Sequence, residues 1–358
     1  MSDSASVNRL PLYVVLPNDI DDPATPSGGN VYDRRICREL TAEGWSVREH
    51  AVRGAWPHPD GRDLLRLTRT LRALPDGSLV LIDGLVASAA PEVLAAQAGR
   101  LRPVLLMHMP LGDDAPALRG REAAALGASV AVITTSAWCR RRLLDLYDLA
   151  PEHVYAAPPG VDATTVVPGS EAGSRLLCVA AVTTGKGHDV LVGALAGVED
   201  LEWTCVCVGP LDRDPGFADR IARDARAIAD RFHLVGPRTG AALDASYAAA
   251  DLLVLASRGE TYGMVVTEAL ARGIPVLATD AKGLPEALGA APDGSRPGIL
   301  VPPNDPSALA VALRRWLTEP DLRRRLRGSA GDRRPTLTGW TETARLISDA
   351  LRSPVGVS

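Results

Sequence analysis

Glu260 and Glu268, separated by seven residues in GETYGMVVTEAL (259–270), directly follow the apolar run Leu252 to Leu255. A strand leading through Gly259 and Gly263 into a helix leaves the first-turn N–H groups open to a ligand, and the helix dipole there favours an anion. A diphosphate suits that geometry, contacted around Thr261, Tyr262, Gly263, Met264 and Val265. Glu260 then precedes the helix and Glu268 lies about a turn and a half inside it, so the two carboxylates reach different parts of one extended ligand. Carboxylates accept hydrogen bonds from hydroxyls, and the vicinal diols of ribose or hexose are natural partners. A capped amphipathic helix with two solvated glutamates fits the same residues. Two further groups carry chemical weight. The chain has 39 basic side chains but lysine only at Lys186 and Lys282, two places where a compact ammonium is retained in an otherwise arginine-only sequence. His108 follows the apolar run Pro103 to Met107, at what would be a strand's carboxyl end.

The elements that must position these groups alternate along the chain. Apolar runs at 10–16, 45–50, 78–82, 103–107, 130–134 and 153–157 are separated by helical stretches near 30–43, 62–73, 115–127 and 136–147. A second series of runs, at 176–182, 203–208, 232–235, 252–255, 275–278 and 298–301, follows the loop PPGVD (158–162). Apolar strands alternating with helices indicate βαβ units around parallel sheets. The expectation is an α/β protein of two facing doubly wound Rossmann-like domains with a cleft between them. The first spans 1–165, completed by a C-terminal helix at 338–354, and the second spans 166–337. The connection near Pro158 to Ser174 is the expected hinge.

The segment 259–270, with GIPV at 273–276 behind it, resembles the donor motif of family 4 glycosyltransferases, the retaining enzymes of GT-B fold. The resemblance extends over SGGNVYDRRICREL (27–40), LLMHMPLG (105–112), PPGVD (158–162), GKGHDVL (185–191), YAAAD (247–251) and GLPE (283–286). It implies transfer of a sugar from a nucleotide diphosphate donor, UDP before GDP, to an acceptor hydroxyl with retention and without a metal. Under it, Lys186 neutralises the diphosphate, Glu260 holds the transferred sugar, Glu268 holds the ribose, and His108 faces the sugar from the first domain. Gly28 and Gly29 form the glycine loop after the first strand, where backbone approaches the donor or acceptor closely. Trp340 anchors the last helix as it crosses back to the first domain. One departure stands out: the arginine that the family commonly places a few residues before Lys186 is absent from AAVTTG (180–185). Lys282 or Arg258 is expected to supply that charge.

Composition bounds the rest. With 358 residues, 46% apolar and 23% charged, the chain is long enough for two cores. A net charge of −4 excludes a strongly basic nucleic-acid surface. No long apolar run and no apolar leader at 1–10 predict a cytosolic protein. Five cysteines without a C-x-x-C pair or a histidine at zinc spacing read as reduced buried thiols, and no metal triad is visible. Asp19, Asp21 and Asp22 lack the glycine and distal glutamate of a calcium loop. No cofactor is expected beyond the nucleotide-sugar substrate. The acceptor, a small molecule or a lipid, is not legible, nor is the oligomeric state. Arg62, Arg66, Arg69 and Arg72 line one helix face opposite Leu64, Leu65, Leu67, Leu71 and Leu74, a pattern of weak peripheral membrane contact or of a solvated face on a packed helix. A sugar-nucleotide epimerase, a phosphorylase or a non-catalytic nucleotide-sugar binder would share the fold. Neither first βα turn holds G-x-G-x-x-G, which disfavours a dinucleotide oxidoreductase.

Overall fold

In the computed structural model, which describes residues 10–22 and 26–353, the chain divides into two compact units. Among the described residues, the first contains 10–21, 27–160 and 340–353, and the second contains 22, 26 and 161–339. Residues 1–9 and position 354 of the expected last helix lie outside the described residues.

The first unit is built on six strands: β1 (Leu10–Pro17), β2 (Trp45–Val52), β3 (Leu79–Asp83), β4 (Arg102–Met107), β5 (Ala131–Thr134) and β6 (Val154–Ala156). All pair in parallel, in the order β2-β1-β3-β4-β5-β6. The second carries β7 (Arg175–Val179), β8 (Thr204–Val208), β9 (Phe232–Leu234), β10 (Leu252–Leu255), β11 (Val276–Thr279) and β12 (Gly298–Val301). These are also parallel, in the order β12-β11-β10-β7-β8-β9. Each apolar run read from the sequence is a strand here. Their continuous apolar character follows from burial on both faces, as in β3, where all five residues are buried.

Strand order decides where ligands can bind. In each sheet the winding reverses between two neighbouring strands, β1 and β3 in the first and β7 and β10 in the second, and the loops leaving those strands diverge to open a crevice at their carboxyl ends. Lys186 follows β7 and Glu260 follows β10. Asp83 ends β3, and Asp33 lies in the helix that follows β1.

Three local features bear on the sequence reading. Gly28 and Gly29 are not a loop but the first turn of the helix Gly28–Ala42, because the Ser27 hydroxyl accepts from the Asn30 N–H at 3.0 Å and starts the helix there. The helix Gly61–Arg72 carries a capping box between Asp60 and Asp63, and Leu67, Leu71 and Leu74 are buried, but Leu65 is 56% exposed. The last helix, Trp340–Arg352, packs on Gly28–Ala42 within the first unit. There the Trp45 indole N–H donates to Ser348 Oγ at 2.9 Å, and Trp340 meets Tyr32 edge-on with ring centres 5.7 Å apart.

Candidate active site

In the second unit, the turn Thr184–Lys186 follows β7, and its Lys186 ammonium donates to Glu260 Oε1 at 2.6 Å. Ser257 Oγ donates to the same oxygen at 3.0 Å. The Glu260 side chain is only 16% exposed, so this ion pair is partly desolvated. The loop carrying Glu260 is itself held: the Gly283 N–H donates to the Glu260 carbonyl at 2.7 Å. A Cβ at Gly283 would lie 2.1 Å from the Thr261 carbonyl oxygen, a contact with backbone that only glycine permits.

The helix Met264–Ala271 begins at Gly263, whose φ of +96° lies in the left-handed region, and no side chain caps it. Its first N–H groups therefore have no side-chain cap and follow the strand at the switch point, an anion-binding arrangement. Thr261, Tyr262 and Val265 sit half-buried around this turn. Burial, with the Glu286 charge, pushes the Tyr262 phenol up to about 12. Further along the helix, Glu268 Oε2 accepts from the Tyr247 phenol at 2.7 Å. Desolvation raises the Glu268 carboxyl above the ordinary glutamate range, and the hydrogen bond from Tyr247 opposes that rise. Neither glutamate is a freely solvated surface group.

The other charges of this region divide. Arg258 is a clamp: its guanidinium bonds both Asp189 oxygens, at 3.0 and 2.8 Å, and also donates to the Thr184 carbonyl. It thereby fixes the turn that presents Lys186. Lys282 adopts a φ of +51°. Its stem runs over Gly259, where an added Cβ would come 2.8 Å from Cε and 3.4 Å from Nζ.

In the first unit, His108 Nε2 lies 2.8 Å from Asp33 Oδ1 and 3.5 Å from Asp83 Oδ2. Its ring packs on Gly29 and meets Tyr32 edge-on at 5.4 Å. Burial alone would lower the imidazole's pKa, but the charge and hydrogen bond of Asp33 and the charge of Asp83 outweigh it and lift it to about 9. Burial and the Asp33 charge push the Asp83 carboxyl up to about 7. At neutral pH this is an imidazolium between two buried acids, and Asp33 Oδ2 has no hydrogen-bond partner. Sequence reasoning named His108 but missed both acids. An aspartate closing the apolar strand LVLID was the available signal for Asp83, whereas Asp33 reads as an ordinary acid in a polar helix.

Two parallel sheets with polar groups gathered at each switch point define a GT-B protein. Residues 173–319 match the family described as glycosyl transferases group 1. A D-inositol 3-phosphate glycosyltransferase of Kineococcus radiotolerans is 32% identical over 270 residues, covering 68% of this chain and 62% of that protein. The corresponding protein of Thermobifida fusca is 34% identical over 232 residues, covering 59% and 52%. The aligned segments thus span less than two thirds of these relatives' length. Among solved structures, sucrose-phosphate synthase of Thermosynechococcus elongatus superposes with a TM-score of 0.79 at 22% identity, over 98% of this chain and all of that one. Anabaena HepE in complex with UDP-glucose gives 0.77 at 16% identity, over 96% and 100%. Fold and sequence place the chain with the family 4-like glycosyltransferases.

Proposed function

We propose that this protein transfers a hexose from a nucleotide diphosphate sugar, UDP before GDP, to an acceptor hydroxyl, with retention at the anomeric carbon and without a metal. The observation that carries the reading is the Lys186–Glu260 pair at the second sheet's switch point, beside a helix whose N-terminus no side chain caps. In this reading the donor diphosphate takes Lys186 as its counter-ion and the N–H groups of the Gly263 turn as its cradle. Glu260, released from Lys186, accepts from hydroxyls of the transferred sugar, and Glu268 accepts from the ribose. The site needs little acid or base of its own. It needs positioning, plus positive charge where the leaving oxygens become anionic, and the leaving diphosphate takes the acceptor's proton. The acceptor is assigned to the first unit, with His108 held as a cation by Asp33 and Asp83. The names of the curated relatives make a phosphorylated inositol the first acceptor to test, and the HepE complex supports trying UDP-glucose first. A cytoplasmic location suits such donors.

A thermal-shift series with UDP, GDP and ADP identifies the base, and transfer from the matching sugar nucleotide to D-inositol 3-phosphate, with the product anomer read by NMR, tests the reaction. Stabilisation by one nucleoside diphosphate and a product of retained configuration are expected. An inverted product overturns the retaining assignment, and the lack of any nucleotide-dependent shift overturns the donor site.

A further inference from the structure

Cys178 on β7 and Cys207 on β8 are direct partners across the parallel ladder. His188 begins the helix His188–Ala196 that packs over them. Ligand atoms of the three residues all lie within 4.8 Å of one another, and each residue is at most 1% exposed. The imidazole is poorly served by the protein: Nδ1 has no hydrogen-bond partner, and Nε2 lies 3.8 Å from the Cys178 sulfur. A buried imidazole normally finds an oxygen partner, since an unsatisfied buried polar group costs about 1–3 kcal/mol. Here Nε2 faces the Cys178 sulfur, with the Cys207 sulfur in the same cluster.

We propose that Cys178, His188 and Cys207 bind one thiophilic d10 cation in the core of the second unit. The spacing fits. With metal–sulfur and metal–nitrogen bonds of about 2.3 and 2.0 Å, a 3.8 Å sulfur–nitrogen separation subtends ~120° at the metal. That is a trigonal angle, and three soft ligands in a dry site suit Cu(I), while Zn(II) would require a fourth ligand. Binding converts the two thiols to thiolates and releases their protons to solvent, leaving the imidazole neutral. Cys205 is also buried but does not join the cluster. The position ties the cation to the donor loop, because His188 lies two residues beyond Lys186. Gly187 between them, at a φ of +66°, is pressed so closely on Ala256 that a Cβ would lie 2.0 Å from its carbonyl oxygen. A metal on His188 would pin the start of that helix from below.

The test loads the full chain with Zn(II) and, anaerobically with a reductant, with Cu(I), at a temperature where the buried site opens locally. After desalting, bound metal per chain, thiolate-to-metal absorption and the free-thiol count are read. One metal per chain on one of the two arms is expected, together with a raised melting temperature. Cys178→Ser and Cys207→Ser should each weaken binding about tenfold or more, and Cys205→Ser should leave it unchanged. If a serine variant does not fold, the valine variant, which suits a buried strand, replaces it. Failure of both metals to bind, binding by the Cys178 and Cys207 variants equal to the parent's, or loss of two thiols to a disulfide without metal uptake would each overturn the proposal. Because the readouts are metal content and spectra, they are independent of any sugar-transfer assay.

Discussion

Lys186 and Glu260 neutralise each other across 2.6 Å, although they leave strands that sit on opposite sides of a winding reversal. The pair stores the ammonium in position, and it also sets a competition. Any anion that recruits Lys186 must draw it away from a carboxylate that is only 16% exposed.

Removing Glu260 should therefore separate donor binding from transfer. Glu260→Ala is expected to bind UDP as tightly as the parent or more tightly, because Lys186 is released, while transfer falls by about a hundredfold or more. Lys186→Met should weaken UDP by about tenfold. The double variant should bind UDP about as weakly as Lys186→Met, since the gain from removing Glu260 requires the ammonium it releases. Calorimetry with UDP alone and steady-state transfer measure the two effects. Weaker UDP binding by Glu260→Ala would show that Glu260 contacts the diphosphate end of the donor through another cation.

The Tyr247 hydroxyl bonded to Glu268 gives a pH-dependent test. Burial raises the Glu268 carboxyl, and this hydrogen bond holds the rise in check. Tyr247→Phe removes the restraint, so Glu268 should protonate at higher pH and lose acceptor capacity toward a ribose hydroxyl. Donor KM should rise, with the acid limb of the kcat/KM profile moving to higher pH and kcat changing less. A stationary acid limb would remove Glu268 from the donor site.

The strands were legible because a parallel sheet buried on both faces writes itself as uninterrupted apolar runs, of which Leu252 to Leu255 is typical. Lys186, Glu260 and Glu268 were legible through their order around glycine turns. Contacts between neighbouring strands were not. Cys178 and Cys207 become neighbours only through β7–β8 pairing, and zinc-spacing rules look along the chain rather than across it. Tyr247 and Glu268 likewise meet only after two helices pack. Gly28 and Gly29 looked like a glycine loop because the sequence contains the glycines but does not advertise that Ser27 caps a helix there.

His108 predicts an unusual slope of stability against pH. Its folded value of about 9 lies above the 6.5 of an unperturbed histidine, so the folded state keeps a proton that the unfolded state gives up. This contribution is complete below about pH 6.5, fades as pH rises through about 9, and reaches ~3 kcal/mol at most. Asp83, raised to about 7, acts in the same direction at lower pH, since the unfolded carboxyl ionises first and the folded one follows. The first unit should lose stability from about pH 4 to 9 through this cluster. Amide exchange in the helix Gly28–Ala42 would report it. His108→Gln should abolish the upper part of the slope and cost about 3 kcal/mol at pH 6, because the buried Asp33 loses the cation hydrogen-bonded to it. An unchanged slope would mean that the imidazole is neutral in the folded protein.

Trp340 gives a purely structural prediction. It is 6% exposed, touches the Tyr32 ring and lies under Arg35, whose guanidinium is 5.4 Å from the indole centre. Trp340→Ala should destabilise the first unit by about 3–5 kcal/mol, and deletion after residue 336 by at least as much. Ser348→Ala, which leaves the Trp45 indole N–H without its acceptor, should cost about 1–3 kcal/mol. Urea titration measures all three, and a truncated chain of parental stability would show that the last helix is dispensable.

The missing arginine near Ala181 can be traced by separating Arg258 from Lys282. Arg258 is already engaged by both oxygens of Asp189 and by the Thr184 carbonyl, so Arg258→Met should loosen the turn that holds Lys186. Stability and UDP affinity should then fall together. Asp189→Ala is the control that frees the guanidinium fork without removing it. If Arg258 then turns to the diphosphate, UDP binding strengthens even as the turn loosens. Lys282 runs along Gly259 beside the Glu260 loop. Lys282→Met, if the lysine serves the donor, should weaken UDP about three- to tenfold and make the remaining affinity less sensitive to salt. Unaltered affinity and salt slope in Lys282→Met, with stronger UDP binding in Asp189→Ala, would transfer the phosphate role from the lysine to Arg258.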